Sequence, residues 1–181
     1  MRVITGTARG RRLRELPGME TRPTTDKVKE SIFNIVQFDV EGRNVLDLFG
    51  GTGQLGIEAL SRGAERCTFV DLRKEAAAVI RENVKTCGFE AQGKVVQGDG
   101  IAFLTGCREK FDLVFLDPPY ASGLLERALE VIAKIDIMSE NGIIVCESGA
   151  EQVLPEFSAP YEKGREYRYG KIKVTLYRRT I

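Results

Sequence analysis

From residue 44 onward, short apolar runs alternate with stretches whose apolar residues recur at helical spacing. The runs are NVLDLF (Asn44 to Phe49), CTFVDL (Cys67 to Leu72), KVVQGD (Lys94 to Asp99), FDLVFLD (Phe111 to Asp117) and GIIVCE (Gly142 to Glu147). Each is nearly continuous in its apolar character, the pattern of parallel strands covered on both faces. Between them, Leu55, Ile57, Ala59 and Leu60 lead to a capping Gly63; Ala76, Val79, Ile80 and Val84 form a second amphipathic set; Leu124, Leu125, Ala128, Leu129 and Ile132 form a third. Past Pro160 the period changes to two. Residues 161–179 alternate polar and apolar around Gly170, which predicts an antiparallel hairpin. The first 40 residues predict a small hairpin around Gly10 and a helix starting near Thr25 or Asp26, with Val28, Ile32, Ile35 and Val36 on one face. The expectation is a doubly wound α/β fold with a mostly parallel seven-stranded sheet ending in an antiparallel hairpin. Residues 1–40 would form a small N-terminal extension and residues 41–181 the main domain.

Composition narrows the chemistry. At 181 residues, 43% hydrophobic and 29% charged, the chain can bury one core. Its longest apolar runs, such as Ile143 to Cys146, are too short to span a bilayer, and no apolar stretch follows the N-terminal arginines, so no secretory signal is expected. Cysteines at 67, 87, 107 and 146 form no CxxC pair, which fits a cytoplasmic protein with free thiols. There is no histidine. That excludes Ser-His-Asp triads, Cys-His dyads and His-ligated metal sites, and no metal is expected. The net charge of +1 is segregated: residues 1–29 carry +5, residues 161–181 carry +5, and the body between carries −9. Arg9, Arg11, Arg12 and Arg14, with Arg22 and Lys27 further on, are candidate contacts to a polyanion. Lys29 is a further phosphate contact or part of a solvated face. Tyr167, Tyr169, Lys171 and Lys173 suit either an aromatic-basic RNA surface or an edge strand protected by lysines.

DLFGGTGQLG (Asp47 to Gly56) ends the first strong strand and opens a helix. Gly51, Gly53 and Gly56 satisfy GxGxxG, and Asp71 stands twenty residues beyond Gly51. NAD and S-adenosylmethionine would both use a loop that a ligand can approach closely and an acid that holds ribose hydroxyls. Asp47 favours the second: a carboxylate beside the loop repels a pyrophosphate and suits a sulfonium and an ammonium, provided its side chain points there. Asp99 could take the adenine amine, with Gly100 and Ile101 beside the ring. The duller role for Asp71 and Asp99 is to cap the helices that follow.

FDLVFLDPPY is the most informative stretch. An apolar strand stops at Asp117-Pro118-Pro119-Tyr120, where two prolines fix φ and remove two donors, so that the Asp117 and Pro118 carbonyls are held rigidly. An exocyclic base amine is a poor nucleophile because its lone pair is delocalised. Acceptors on its two N–H bonds make the nitrogen more tetrahedral and aim the lone pair at a methyl group. Asp117 and the Pro118 carbonyl could supply both, while Tyr120 stacks on the ring. Such a base must first leave its stack. Cys67 and Cys146 sit within apolar strands, so a mechanism needing thiolate attack is disfavoured.

DLFGGTG with DPPY resembles the class I S-adenosylmethionine-dependent methyltransferases that modify exocyclic amines of bases. RVITGTARGRRL (Arg2 to Leu13), RPTTDKVKESIFNI (Arg22 to Ile35) and VLDLFGGTGQLGIEALSRGA (Val45 to Ala64), ahead of FDLVFLDPPY, are similar to the bacterial 16S ribosomal RNA guanine-N2 methyltransferases. Gly51 and Thr52 stand where relatives often have alanine and serine, all small residues. The resemblance implies a catalytic pocket of Asp117, Pro118, Pro119 and Tyr120. It implies a cofactor site of Asp47, Phe49, Gly50, Gly51, Gly53, Asp71, Asp99, Gly100 and Ile101 for S-adenosylmethionine. It also implies 16S rRNA, within the small ribosomal subunit or an assembly intermediate, as the partner of a monomeric enzyme, with residues 1–40 contacting RNA. The alternatives are an adenine-N6 methylase of DNA or RNA, a non-enzymatic RNA-binding module on the same scaffold, and an NAD-dependent oxidoreductase.

Overall fold

A computed structural model of the chain describes residues 1–18 and 25–181. Seven strands form one sheet: β1 (Asn44–Leu48), β2 (Arg66–Asp71), β3 (Gly93–Gln97), β4 (Phe111–Leu116), β5 (Met138–Gly149), β6 (Tyr161–Tyr169) and β7 (Ile172–Arg179). Their order is β3-β2-β1-β4-β5-β7-β6. The first five are parallel, and β7 joins antiparallel to both β5 and β6. This is the doubly wound, mostly parallel sheet that the apolar runs predict, finished by the hairpin that the alternation around Gly170 predicts.

Among the described residues, five helices cover the two faces: α1 (Asp26–Ile35), α2 (Gln54–Ser61), α3 (Lys74–Thr86), α4 (Gly100–Gly106) and α5 (Leu124–Ile135). Side chains alternate across the sheet and divide the core in two. Val45, Leu113 and Phe115 point to one face, where they meet Ile32, Phe33, Ile57 and Ile80 of α1, α2 and α3. Leu46, Leu48, Val114 and Leu116 point to the other and meet Leu104 of α4 with Leu125, Leu129 and Ile132 of α5. Among the described residues, no helix is long and apolar enough to cross a membrane.

The N-terminal residues share this core. Val3, Ala8 and Leu13 are buried in the same cluster as Phe33 and Ile57. Arg2 and Arg12 bridge antiparallel, and Gly10 donates to the Val3 carbonyl at 2.9 Å, closing the small hairpin that the sequence suggests. Gly6 has φ +94° and lies so near α2 that a Cβ there would stand 1.9 Å from the Ser61 carbonyl oxygen. Only glycine lets the hairpin settle on α2. Thr25 caps α1, its side chain accepting from the Val28 N–H at 3.2 Å.

Two lysine readings are corrected. Lys29 is fully buried, donating to the Arg2 carbonyl at 2.7 Å and facing Glu58 at 3.7 Å, so it is neither a phosphate contact nor part of a solvated face. Lys173 is 3% exposed because β6, not β7, forms the sheet edge; its ammonium pairs with Glu166 at 2.8 Å. Arg22 lies outside the described residues.

Candidate active site

In an open α/β sheet the crevice forms beyond the carboxyl ends of the strands, where the chain order reverses. Here the reversal falls between β1 and β4, and the two motifs singled out from the sequence follow those two strands. A cleft of about 270 Å³ opens at this point. Its walls bring together Phe49 and Gly51 after β1, Asp71 at the end of β2, Asp99 and Gly100 after β3, and Asp117 and Pro119 after β4.

The loop after β1 is shaped by backbone demands. Phe49 has φ 64°, an uncommon conformation for a non-glycine residue that costs on the order of 1–3 kcal/mol. It places the ring against Gly100, where a Cβ would come within 2.9 Å of it. Gly53, also left-handed at φ 82°, opens α2, and its N–H returns to the Gly50 carbonyl at 2.8 Å. Asp71 closes the loop from the neighbouring strand. One carboxylate oxygen accepts from the Gly51 N–H at 2.9 Å, and the other accepts from the Arg73 N–H at 2.9 Å. A carboxylate has about four acceptor positions, so Asp71 keeps capacity for hydroxyl donors from the cleft. Asp99 caps α4, accepting from the Ala102 N–H at 2.9 Å, and it also lines the cleft.

Asp47 corrects the charge argument made from it. Its side chain runs beneath the loop, 2% exposed, and accepts from the Gly56 N–H at 3.1 Å instead of lining the cleft. Burial, with a smaller push from Asp71, raises its carboxyl to about 8, so the protonated form predominates at neutral pH and no fixed charge repels a pyrophosphate. Between the ordinary carboxyl range and pH 8 the folded state holds a proton that the unfolded chain has lost. Stability should therefore fall as pH rises through that window and level off above it. Asp47→Asn keeps an acceptor for Gly56 and removes the titration. Urea unfolding at pH 5 and pH 8 should show the variant gaining on the parent at the higher pH; an equal change in both proteins would refute the assignment.

The Asp117–Tyr120 turn stands between two hollows. Asp117 and Pro119 face the 270 Å³ cleft, whereas Tyr120 faces a second, larger cavity of about 650 Å³. The second cavity lies between the start of α5, the end of β5 and the β6–β7 turn, and Gly149, Gln152 and Lys171 are among its walls. Pro118 is buried, and the Pro119 carbonyl accepts from the Ser122 hydroxyl at 2.6 Å, which fixes the turn. Gly50, Gly53 and Ile101 neighbour lining residues in the chain but do not line the cleft themselves. Cys67 and Cys146 are buried thiols whose burial raises their pKa, so neither is poised as a nucleophile.

Several residues here carried no sequence signal. Leu72, Arg73 and Leu124 line the cleft, and Leu72 is an exposed apolar side chain suited to a flat ring. Asn83 of α3 is 1% exposed; its amide donates to the carbonyls of Thr52 at 2.9 Å and Arg14 at 3.0 Å, and its oxygen accepts from the Arg14 N–H at 2.7 Å. It ties the basic N-terminal segment to the glycine loop. Arg9, Arg11, Arg12 and Arg14 are all exposed on that segment, as is Lys27 on α1. Arg14 also pairs with Glu82 at 2.5 Å in a contact exposed to solvent.

The family model described as conserved hypothetical protein 95 matches residues 1–178. The chain belongs to this family. It is 41% identical over 182 residues to "Putative rRNA methyltransferase YlbH" of Bacillus subtilis, covering 99% of each chain. It is 33% identical to "Ribosomal RNA small subunit methyltransferase D" of Escherichia coli, covering 99% of this chain and 90% of that one. Among solved structures, "Putative methyltransferase yhhF from Escherichia coli" superposes with a TM-score of 0.87 at 33% identity, covering 99% of this chain and 98% of the other. The fold is that of the class I methyltransferases, as the glycine loop and the DPPY turn lead one to expect.

Proposed function

We propose that this protein transfers a methyl group from S-adenosylmethionine to the exocyclic N2 amine of a guanine in 16S rRNA of the small ribosomal subunit. The observation that carries the reading is the position of the DPPY turn. Asp117 and Pro119 look into one hollow and Tyr120 into the other, so a donor and an acceptor can meet across a single rigid turn.

The smaller cleft fits S-adenosylmethionine better than a dinucleotide. Asp71 already occupies the Gly51 N–H, so a pyrophosphate would lose that donor and face a carboxylate at the same point. Asp71 suits ribose hydroxyls, Asp99 an adenine amine, and Leu72 the ring face. Bound there, S-adenosylmethionine supplies an electrophilic methyl on a sulfonium. Asp117 and the Pro118 carbonyl accept the two N–H bonds of the target amine and turn its lone pair toward the cleft, and Tyr120 stacks on the base. The new C–N bond forms as the C–S bond breaks, and the amine, made acidic by methylation, gives a proton to Asp117 or to water. No covalent enzyme intermediate is needed. The names of the relatives support rRNA as the acceptor, and residues 1–40, with their exposed arginines, are proposed as the RNA-contacting segment.

The test is methyl transfer from labelled S-adenosylmethionine to unmodified small subunits, naked 16S rRNA and duplex DNA, with product nucleosides identified by mass spectrometry. N2-methylguanosine from the RNA substrates alone is expected. N6-methyladenine would keep the chemistry and overturn the base, and absence of S-adenosylmethionine binding would overturn the reading entirely. Charge reversal of Arg11 and Arg12 should weaken RNA binding and lower the salt slope by about two or more, with S-adenosylmethionine affinity unchanged. An unaltered slope would remove the N-terminal segment from the interface.

A further inference from the structure

The 650 Å³ cavity beyond Tyr120 contains more than a stacking surface. Glu126, in the first turn of α5, is half-buried on its wall, and its carboxylate accepts a hydrogen bond from the side-chain amide of Gln152, which follows the end of β5. Gln152 also touches the hollow behind Pro118, Pro119 and Tyr120. A long side chain on a helix surface is thus held in one direction, from the opposite wall, beside the turn that would carry the amine. The helix terminus alone accounts for an acid at this position, but not for its being held within the cavity by a partner from β5.

We infer that Glu126 is the residue that distinguishes guanine from other bases by accepting the N1–H of the target. This inference rests on the guanine-N2 reading above. Guanine carries two adjacent donors on its pairing edge, the N1–H and the N2 amine, and a carboxylate is acceptor-only. With the amine taken by Asp117 and the Pro118 carbonyl, the N1–H is the next donor along that edge. Adenine presents its amine beside an N1 lone pair, which a carboxylate repels. Gln152 occupies only part of the acceptor capacity of Glu126, which lines the cavity.

The other acids nearby are unsuited to this part. Glu151 is 92% exposed and pairs with Arg168 at 3.2 Å on the rim. Glu147 is 3% exposed and borders a space of only about 10 Å³, too small for a base. A site built around a hydrogen bond to one edge discriminates strongly, because an incorrect base leaves a buried polar group unpaired.

The experiment compares guanine with 2-aminopurine, which keeps the 2-amine but has a lone pair at N1 and no oxygen at position 6. Small subunits are reconstituted with rRNA carrying either base at the methylated position, once mass spectrometry has located it. The parent enzyme should prefer guanine in kcat/KM by about 100-fold or more. Glu126→Gln keeps an acceptor for Gln152 and can donate to the N1 of 2-aminopurine, so its preference should fall at least about tenfold, and Glu126→Ala should narrow it as well. S-adenosylmethionine affinity, expected to be unchanged in both, reports that the fold is intact. A parent-like preference in both variants would overturn the inference while leaving N2 methylation standing. So would equal loss of transfer to both substrates with cofactor binding intact. If the parent makes no N2-methylguanosine, the guanine-N2 reading fails first and the part given to Glu126 falls with it.

Discussion

Asp117→Ala should reduce methyl transfer by at least about a thousandfold while S-adenosylmethionine affinity stays within about twofold, because alignment and electrostatic stabilisation each supply several orders of magnitude. The separation follows from geometry. Asp117 lines the cleft after β4, whereas the ribose-binding and adenine-binding candidates stand at the end of β2 and after β3. Asp117 is half-buried, and the two prolines beside it restrict the turn's φ angles whatever stands at 117. Asp117→Asn is the informative companion. Its amide oxygen can still accept one N–H, but its charge is gone. It should retain more activity than alanine if orientation dominates, and no more if the negative charge stabilising the developing ammonium dominates. Rates should be read under single-turnover conditions, with cofactor affinity from calorimetry on the same preparations. An alanine variant with parental rates would remove Asp117 from the chemistry, and one that lost cofactor binding equally would reassign it to the cleft.

What the sequence made legible was local. The glycine loop and the DPPY turn could be read because each constraint acts between residues close in the chain: a left-handed backbone at Gly51 and Gly53, two fixed φ angles at Pro118 and Pro119, an acid at a strand end. The doubly wound parallel sheet followed from the alternation of apolar runs with helical stretches, but the order of its strands did not. The side chains that failed were those whose partners are remote. Lys29 reads as a surface residue until Glu58 arrives from 29 positions away, and Lys173 reads as an edge protector until β6 covers β7. Asp47 reads as a charge facing a ligand until the Gly56 N–H draws it beneath the loop. α4 shows no helical period, its seven residues being too few, and only the capping role considered for Asp99 pointed to it. Leu72, Arg73 and Leu124 enter the cleft only because four strand ends converge there, a property of the sheet and not of any one segment.

Glu58→Ala should be the most destabilising single change, costing about 3–5 kcal/mol, because it removes one partner from a buried ion pair and leaves the other charge uncompensated. Glu58 has no exposed surface. Its two oxygens accept from the Ile4 N–H at 2.8 Å, the Thr5 N–H at 3.0 Å and the Arg62 Nε at 2.9 Å. Lys29, equally buried, faces it at 3.7 Å, and desolvation already pushes the Lys29 ammonium below its usual pKa against the pull of Glu58. Without the carboxylate, the buried Lys29 ammonium loses its counter-charge and the Ile4 and Thr5 N–H groups lose their acceptor. For a chain of this length each kcal/mol moves the melting temperature by about 2–4 °C, so a fall of roughly 6–20 °C is expected. Lys29→Met should cost less, since Glu58 would keep Arg62 and the two backbone donors. Combining it with Glu58→Ala should recover part of the loss, because the stranded ammonium is then gone. A melting temperature within about 2 °C of the parent in Glu58→Ala would show that the buried charges contribute little. The same cluster holds the hairpin of Arg2 to Arg12 on α2, the helix that the glycine loop opens. RNA affinity should therefore weaken in Glu58→Ala at temperatures where the protein is still folded, and by more than cofactor affinity does: the arginines lose the anchor that aims them, while Asp71 and Asp99 keep their own strands.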